Sequence, residues 1–259
     1  IADRRWHNVV NKTVDLCKNH MVNPKYQGFV LALGGDMISG EIHEELSETN
    51  EGYNMEHVFR VFDNLVWTID ILIEQFGKVF IPCAFGNHGR NGKWRFKGAA
   101  PSNYDWQLYC WLERHYKNNP AIKFSVPSSY DTVYILHGTT YVLTHGDRLG
   151  VRGGDGVIGI LGPVARGIKK LKAVYEAQQQ HVDYVIMGHW HQRTRLQDGI
   201  VNGSGKGYDE FALGHRFNPE PPQQCLWFTH PRYGITFEIP IFADEPAEKS
   251  KKWIEVFDG

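Results

Sequence analysis

The residues best equipped for chemistry sit at the ends of four apolar runs. Tyr184 to Met187 stops at Gly188-His189-Trp190-His191, and Phe29 to Leu33 runs into Gly34-Gly35-Asp36. Val79 to Ala84 leads to Phe85-Gly86-Asn87-His88-Gly89-Arg90, and Thr140 to Thr144 delivers His145-Gly146-Asp147. An apolar run that breaks at glycine reads as a buried strand presenting polar groups at its tip. Two imidazoles one residue apart can aim at one metal ion or at two neighbouring ones, with Gly188 leaving the backbone room to bend. Each motif alone has an ordinary reading. Thirteen histidines in 259 residues produce a His-x-His by chance, Asp36 could cap a helix, Asn87 could hold a turn, and His145 could be a satisfied histidine under a loop. Together they are harder to dismiss, because every one follows an apolar strand and offers an oxygen or nitrogen ligand. Carboxylate, amide oxygen and imidazole suit Mn²⁺, Fe or Zn²⁺ better than Ca²⁺ or a thiolate zinc site.

The elements that must position these groups alternate. Residues 2–20 carry Trp6, Val9, Val10, Thr13, Val14, Leu16 and Cys17 at helical spacing. A strand over 28–33 follows, then a polar, acidic insert over about 39–54 that reads as a loop or short helix. Val58, Val61, Phe62, Leu65, Val66, Ile69, Leu72 and Ile73 mark a long helix over 55–76. A strand over 78–84, a glycine-rich basic loop over 90–97 and a helix over 103–118 come next. Strands are expected at 122–126, 132–136 and 140–144. The glycine-rich 150–167 is expected to be a mobile segment ahead of a helix over 168–179, and strands follow at 184–187, near Ile200, at 225–229 and at 235–241. This order indicates an α/β or layered α/β/β/α architecture, in which ligands bind beyond the carboxyl ends of strands. Residues 1–243 read as one domain and 244–259 as a charged tail.

Composition narrows the classes. A formal net charge of −1 excludes the global basic character of a non-specific nucleic-acid binder. Cys17, Cys83, Cys110 and Cys225 form no Cys-x-x-Cys pair, so neither a disulfide framework nor a thiolate zinc site is indicated. No apolar run approaches a membrane span of ~20 residues, and the N-terminus has no signal-peptide pattern. A cytoplasmic protein without membrane partners is the expectation.

The ordered set Gly35-Asp36, Gly86-Asn87-His88, His145-Gly146 and Gly188-His189-Trp190-His191 resembles the calcineurin-like metallophosphoesterase superfamily. The resemblance runs from the first helix to about Gly207, where Val201-Asn202-Gly203-Ser204 is similar to the turn that follows the histidine pair in that family. The polar insert, the Gly-Asn-His-Gly-Arg stretch and Tyr208-Asp209-Glu210 are most similar to phage-encoded phosphoesterases of the DNA-repair-exonuclease type. The resemblance implies an α/β/β/α sandwich of two mixed sheets flanked by helices. It also implies two divalent metal ions, Mn²⁺ foremost, with Fe, Zn²⁺ or Ni²⁺ as alternatives. Asp36 would bridge the two ions, Asn87, His145 and His189 would complete the second, and His191 would ligate the first. A hydroxide between them would attack phosphorus, with His88 as general acid for the departing oxygen. Activity would fall at acidic pH as the ligands protonate.

Two departures qualify this. The family's opening Asp-x-His strand end is absent upstream of Asp36, and its place would be before Ile1. The expectation is a fold lacking its first strand, whose chain binds at most one metal well and is weak or inactive, while the full protein is a two-metal enzyme. Gly89 also stands where the family carries an acid that orients the histidine, and Asp147 is a candidate replacement. For substrate binding the clustering of basic residues near the expected site loops points to Arg90, Arg148 and Lys206. Lys93, Arg95, Lys97, Arg152, Arg193 and Arg195, interleaved with Trp94, Phe96 and Trp190, could track a nucleic-acid backbone, or could be solvated loop charges. Three readings follow: a phosphodiesterase or DNA nuclease, in a host cytoplasm if phage-encoded; a phosphomonoesterase on a phosphoprotein or small molecule; or a degenerate, non-catalytic binding module.

Overall fold

The computed structural model describes residues 1–42, 44–92, 98–151, 159–208, 210–214, 219–245 and 254. Lys93, Trp94, Arg95, Phe96, Lys97, Arg152, Asp209 and most of the charged tail lie outside the described residues.

Helix α1 (Ala2–Asn19) buries Val10, Thr13 and Cys17 along one face. Strand β1 (Phe29–Val30) pairs in parallel with β2 (Val79–Pro82), and β2 with β3 (Ile122–Ser125). The pairing continues past β1: Leu31 N donates to Phe80 O at 2.9 Å and Leu33 N to Pro82 O at 3.0 Å. The polar insert contains a short helix, α2 (Glu44–Thr49). Helix α3 (Asn54–Phe76) follows, and α4 (Tyr104–His115) is capped by Asn103, whose side chain accepts from Asp105 N and Trp106 N. A second sheet holds β4 (Asp131–Leu136), β5 (Thr139–Thr144), β6 (Tyr184–Met187), β7 (Thr194–Leu196) and β8 (Gly199–Val201) in the order β4-β5-β6-β8-β7. Within it β5, β6 and β8 run parallel, while β4 and β7 are antiparallel to their neighbours. Helix α5 (Leu161–Ala177) lies between β5 and β6 in sequence. The short α6 (Glu210–Gly214) precedes a hairpin of β9 (Gln223–His230) and β10 (Gly234–Phe242).

Strand alternation builds the layers. Val79, Ile81 and Cys83 point into a core with Val58, Leu65, Ile69, Leu72, Leu108 and Leu112 of α3 and α4. Phe80 and Ala84 point the other way, onto Tyr134, Tyr141, Leu143, Ile186 and Ile200 of the second sheet. That sheet's opposite face presents Val142, Val185, Met187 and Val201 to Val164 and Ile168 of α5. The order is helices, sheet, sheet, helix: the α/β/β/α layering expected from the sequence. Helix α1 packs on the hairpin through Cys17, Leu226 and Ile241, and Arg5 anchors it to Asp244 at 2.7 Å.

Three elements depart from expectation, the short α6 among them. Helix α5 begins at Leu161, seven residues before the expected start, because Pro163 falls in its first turn, where the missing N–H is not needed. Gly167 inside it makes room for packing: a Cβ there would lie 2.8 Å from Leu149 Cβ. Strand β7 was not expected from the sequence, and its three residues are too few to show a period. The four cysteines are free thiols, and no described helix is long and apolar enough to cross a membrane.

Leu65 is fully buried at the centre of α3. Leu65→Ala is expected to cost about 2–5 kcal/mol, read as a lower urea midpoint; a loss below about 1 kcal/mol would show that this face is not the core.

Candidate metal centre

Because β1 and β2 run parallel, as do β5 and β6, all four motifs emerge at carboxyl ends, and face-to-face packing brings them to one edge. The sheets are tied there by His145, whose Nδ1 lies 2.8 Å from Gly34 O, and within the second sheet Gly188 N donates to His145 O at 3.0 Å. Asp36, His145 and His189 each offer a ligand atom, and all three atoms lie within 4.8 Å of one another. Asn87 Oδ1 is 3.1 Å from His145 Nε2, so the amide joins the group. His191, which the resemblance assigns to the other ion, is not part of this group; it lies close enough to His189 for the two rings to oppose each other's charge, and it lines a cleft with Gln192, Ser204, Tyr208 and Glu220.

The backbone at these ligands is unusual. Asp36, His189 and His191 all have left-handed φ, of 52°, 65° and 58°. Gly188, which the sequence suggested as the bending point, does not; the bend falls on the histidines themselves. A left-handed non-glycine residue costs roughly 1–2 kcal/mol, and such strain gathers at functional sites. At Asp36 the cost is offset by hydrogen bonds. Its N–H donates to Asp105 Oδ2 at 2.8 Å, the next N–H, of Met37, to Asp105 Oδ1 at 3.2 Å, and its own Oδ1 accepts from His88 N at 2.8 Å. Bonds to a charged acceptor contribute about 1.5–3 kcal/mol each, enough to hold the conformation. The loops also touch closely: a Cβ on Gly35 would collide with the Gly86 backbone, and one on Gly86 with Asp36.

The electrostatics centre on one pair. Asp36 Oδ2 lies 2.9 Å from His145 Nε2, yet this buried oxygen makes no well-formed hydrogen bond among the described residues. Burial pushes the Asp36 carboxyl up, but His145 and then His88 override it and hold the group well below the usual carboxylate range. Burial pushes His145 down, but Asp36 overrides it, raising the imidazole to about 9. His189 is lowered to about 3 by burial and by His145, so it is neutral. His145 is thus cationic beside the Asp36 carboxylate, while His189 is neutral.

The donors fit a divalent metal ion. His145 satisfies Nδ1 on a backbone carbonyl and turns Nε2 inward, the arrangement that fixes an imidazole ligand's tautomer. His88 does likewise: Nδ1 is 2.7 Å from Ser39 O, and Nε2 is 4.0 Å from Asp36 Oδ2. The group found orienting His88 is thus the Ser39 carbonyl, where the sequence had suggested Asp147. Asp147 instead lines a cleft with Asn87, Arg90, Tyr130 and Arg148, where the Arg148 guanidinium lies 3.5 Å above the Tyr130 ring. Lys206 is exposed and borders neither cleft. Arg193 pairs with Glu238 at 2.7 Å, and Trp190 packs against the α5 core. No residue pattern pointed to Asp105, buried to 1% exposure, or to the carbonyls of Gly34 and Ser39.

No family model matches the chain, and no curated protein does. Among solved structures it is similar to a single mutant of Vps29 from Entamoeba histolytica, with 14% identity and a TM-score of 0.34, covering 82% of this chain and 98% of that one. That likeness is a loose one in backbone course.

Removing the carboxylate should expose the burial of its partner. In Asp36→Asn the His145 ring, followed by ¹⁵N NMR in the metal-free protein, is expected to titrate below its ordinary 6.5. A value remaining near 9 would show that Asp36 is not what charges it.

Proposed function

We propose that this chain forms the metal-binding body of a phosphoester hydrolase of the calcineurin-like metallophosphoesterase type, acting on phosphodiesters, with DNA as a candidate substrate. The observation that carries this is the convergence of Asp36, Asn87, His145 and His189 from four strand ends on one point. When bound there, a divalent ion supplies Lewis acidity toward a phosphoryl oxygen and acidifies water.

The chain's own residues do the rest. Asp36, held by its backbone contacts, presents Oδ2 as an anionic ligand, and Asn87 adds a neutral one. His145 must give up its Nε2 proton to ligate, whereas His189 is already neutral. His88 is anchored through Nδ1 and aims Nε2 into the site, where it can pass a proton to the departing oxygen. Arg90 and Arg148, flanking Asn87 in the adjoining cleft, supply cations for the substrate's phosphate. Tyr130 and Phe85, with ring centroids 5.1 Å apart, give that cleft an aromatic wall.

That the described residues bring together one group of ligands favours a second reading, in which the chain holds one ion and turns over slowly or serves as a binding module. The two readings separate experimentally. Titration calorimetry with Mn²⁺ is expected to give one tight site, weakened but still present in His189→Ala; two tight sites would overturn the one-ion reading, and none would overturn the metal centre. Hydrolysis of bis-p-nitrophenyl phosphate above p-nitrophenyl phosphate, with cleavage of single-stranded or duplex DNA, supports the diesterase reading. If both esters and DNA survive in Mn²⁺, the binding module stands instead. Should turnover be seen, His88→Asn is expected to lower kcat by about 10²–10⁴-fold.

Proton release should also be visible in binding. Because His145 is protonated below about 9, Mn²⁺ affinity is expected to rise with pH between 6.5 and 8.5, approaching tenfold per unit. An affinity that is flat across that range would mean the ion does not displace this proton.

A further inference from the structure

We propose that Asp105 is a positioning residue for the metal centre: a carboxylate supplied by α4, outside both ligand loops, that sets Asp36 against Asn87. The inference rests on the metal centre proposed above and adds the group that holds its geometry.

One oxygen, Oδ2, accepts from Asp36 N at 2.8 Å and from Gly86 N at 2.9 Å, while Oδ1 accepts from Met37 N at 3.2 Å. A single carboxylate thus bonds the backbone of the residue bearing one ligand and the backbone next to another. These loops are 50 residues apart in sequence, and this group fixes their spacing at the level of individual amides. It also fixes Asp36 in its left-handed conformation, and so determines where the Asp36 side chain points.

The surroundings are shaped to admit this group. Asn103, the cap of α4, donates Nδ2 to Gly86 O at 2.7 Å and accepts from Asp105 N at 2.8 Å. Tyr104 N donates to Gly89 O at 2.7 Å, docking the first turn of the helix on the Gly86–Gly89 loop. A Cβ on Gly89 would lie 2.6 Å from Asn103 Oδ1 and 2.8 Å from Asp105 Cγ. Glycine at 89 is therefore what leaves room for a carboxylate arriving from α4.

The bland alternative is an acid that merely suits a helix N-terminus. Such an acid works equally well on the surface, at no desolvation cost. Asp105 is instead 1% exposed and close enough to Asp36 for the two negative charges to oppose each other, an expensive arrangement. A bound cation relieves that opposition, and the three amide bonds make the site's shape its product.

The test uses Co²⁺, whose visible absorption reports ligand geometry, on the whole chain. In Asp105→Asn, affinity is expected to fall 10–100-fold, as when outer partners of metal ligands are lost, and the absorption bands to shift. Leu112→Ala, a core change on the same helix, is the control and should destabilise the fold while leaving the folded protein's Co²⁺ affinity and bands unchanged. Asp105→Ser offers the same comparison if Asp105→Asn does not fold. Wild-type protein that binds no Co²⁺ overturns the metal centre itself. If wild type binds, the role of Asp105 alone is overturned by unchanged affinity and bands, by lost affinity with unshifted bands, by an equal loss in Leu112→Ala, or by failure of both Asp105 variants to fold while Leu112→Ala does.

Discussion

The seam between the two sheets is the constraint on which the rest depends. Phe80 and Ala84 from one side meet Tyr134, Tyr141, Leu143, Ile186 and Ile200 from the other, and the Tyr134 and Tyr141 rings stack 5.2 Å apart and nearly parallel. This dry contact holds two sheets so that parallel strands in each end along the same edge. Without it, Asp36 and Asn87 would belong to one surface and His145 and His189 to another. The His145 bond to Gly34 then fastens the two halves at the point where their polar ends meet.

Charge follows from that geometry. Bringing a carboxylate and two imidazoles out of water is costly unless they neutralise one another. In the metal-free protein a proton on His145 does this, drawn there by Asp36, while His189, with no carboxylate of its own, is driven neutral. The same arrangement accepts a divalent ion in exchange for that proton. Proton and metal compete for one place, and this links the site's affinity to pH.

Much of this is legible in the sequence, and the illegible part has physical reasons. The strand ends stand out because burial on both faces forces unbroken apolar runs, which contrast with the glycines and ligands after them. Asp36, Asn87, His145 and His189 are found that way. His191 shares the motif but stands outside this group of ligands, as expected of a histidine assigned to a different ion. Asp105 is hidden because one acid in the first turn of an amphipathic helix looks like ordinary helix chemistry. Only the tertiary fold shows its carboxylate leaving its own helix for the amides of Asp36, Met37 and Gly86. The anchors of His88 and His145 are backbone carbonyls, which no residue type can signal. Gly167 misleads in the other direction: it reads as flexibility and serves close packing against Leu149.

The central claim is that Asp36, Asn87, His145 and His189 share one ion. Electron spin-echo envelope modulation on the Mn²⁺-loaded chain tests it most directly. The account predicts nitrogen couplings from two imidazoles, reduced to one in either His145→Ala or His189→Ala and unaltered in His191→Ala. Modulation without nitrogen coupling, or two couplings that persist in both single variants, would contradict it.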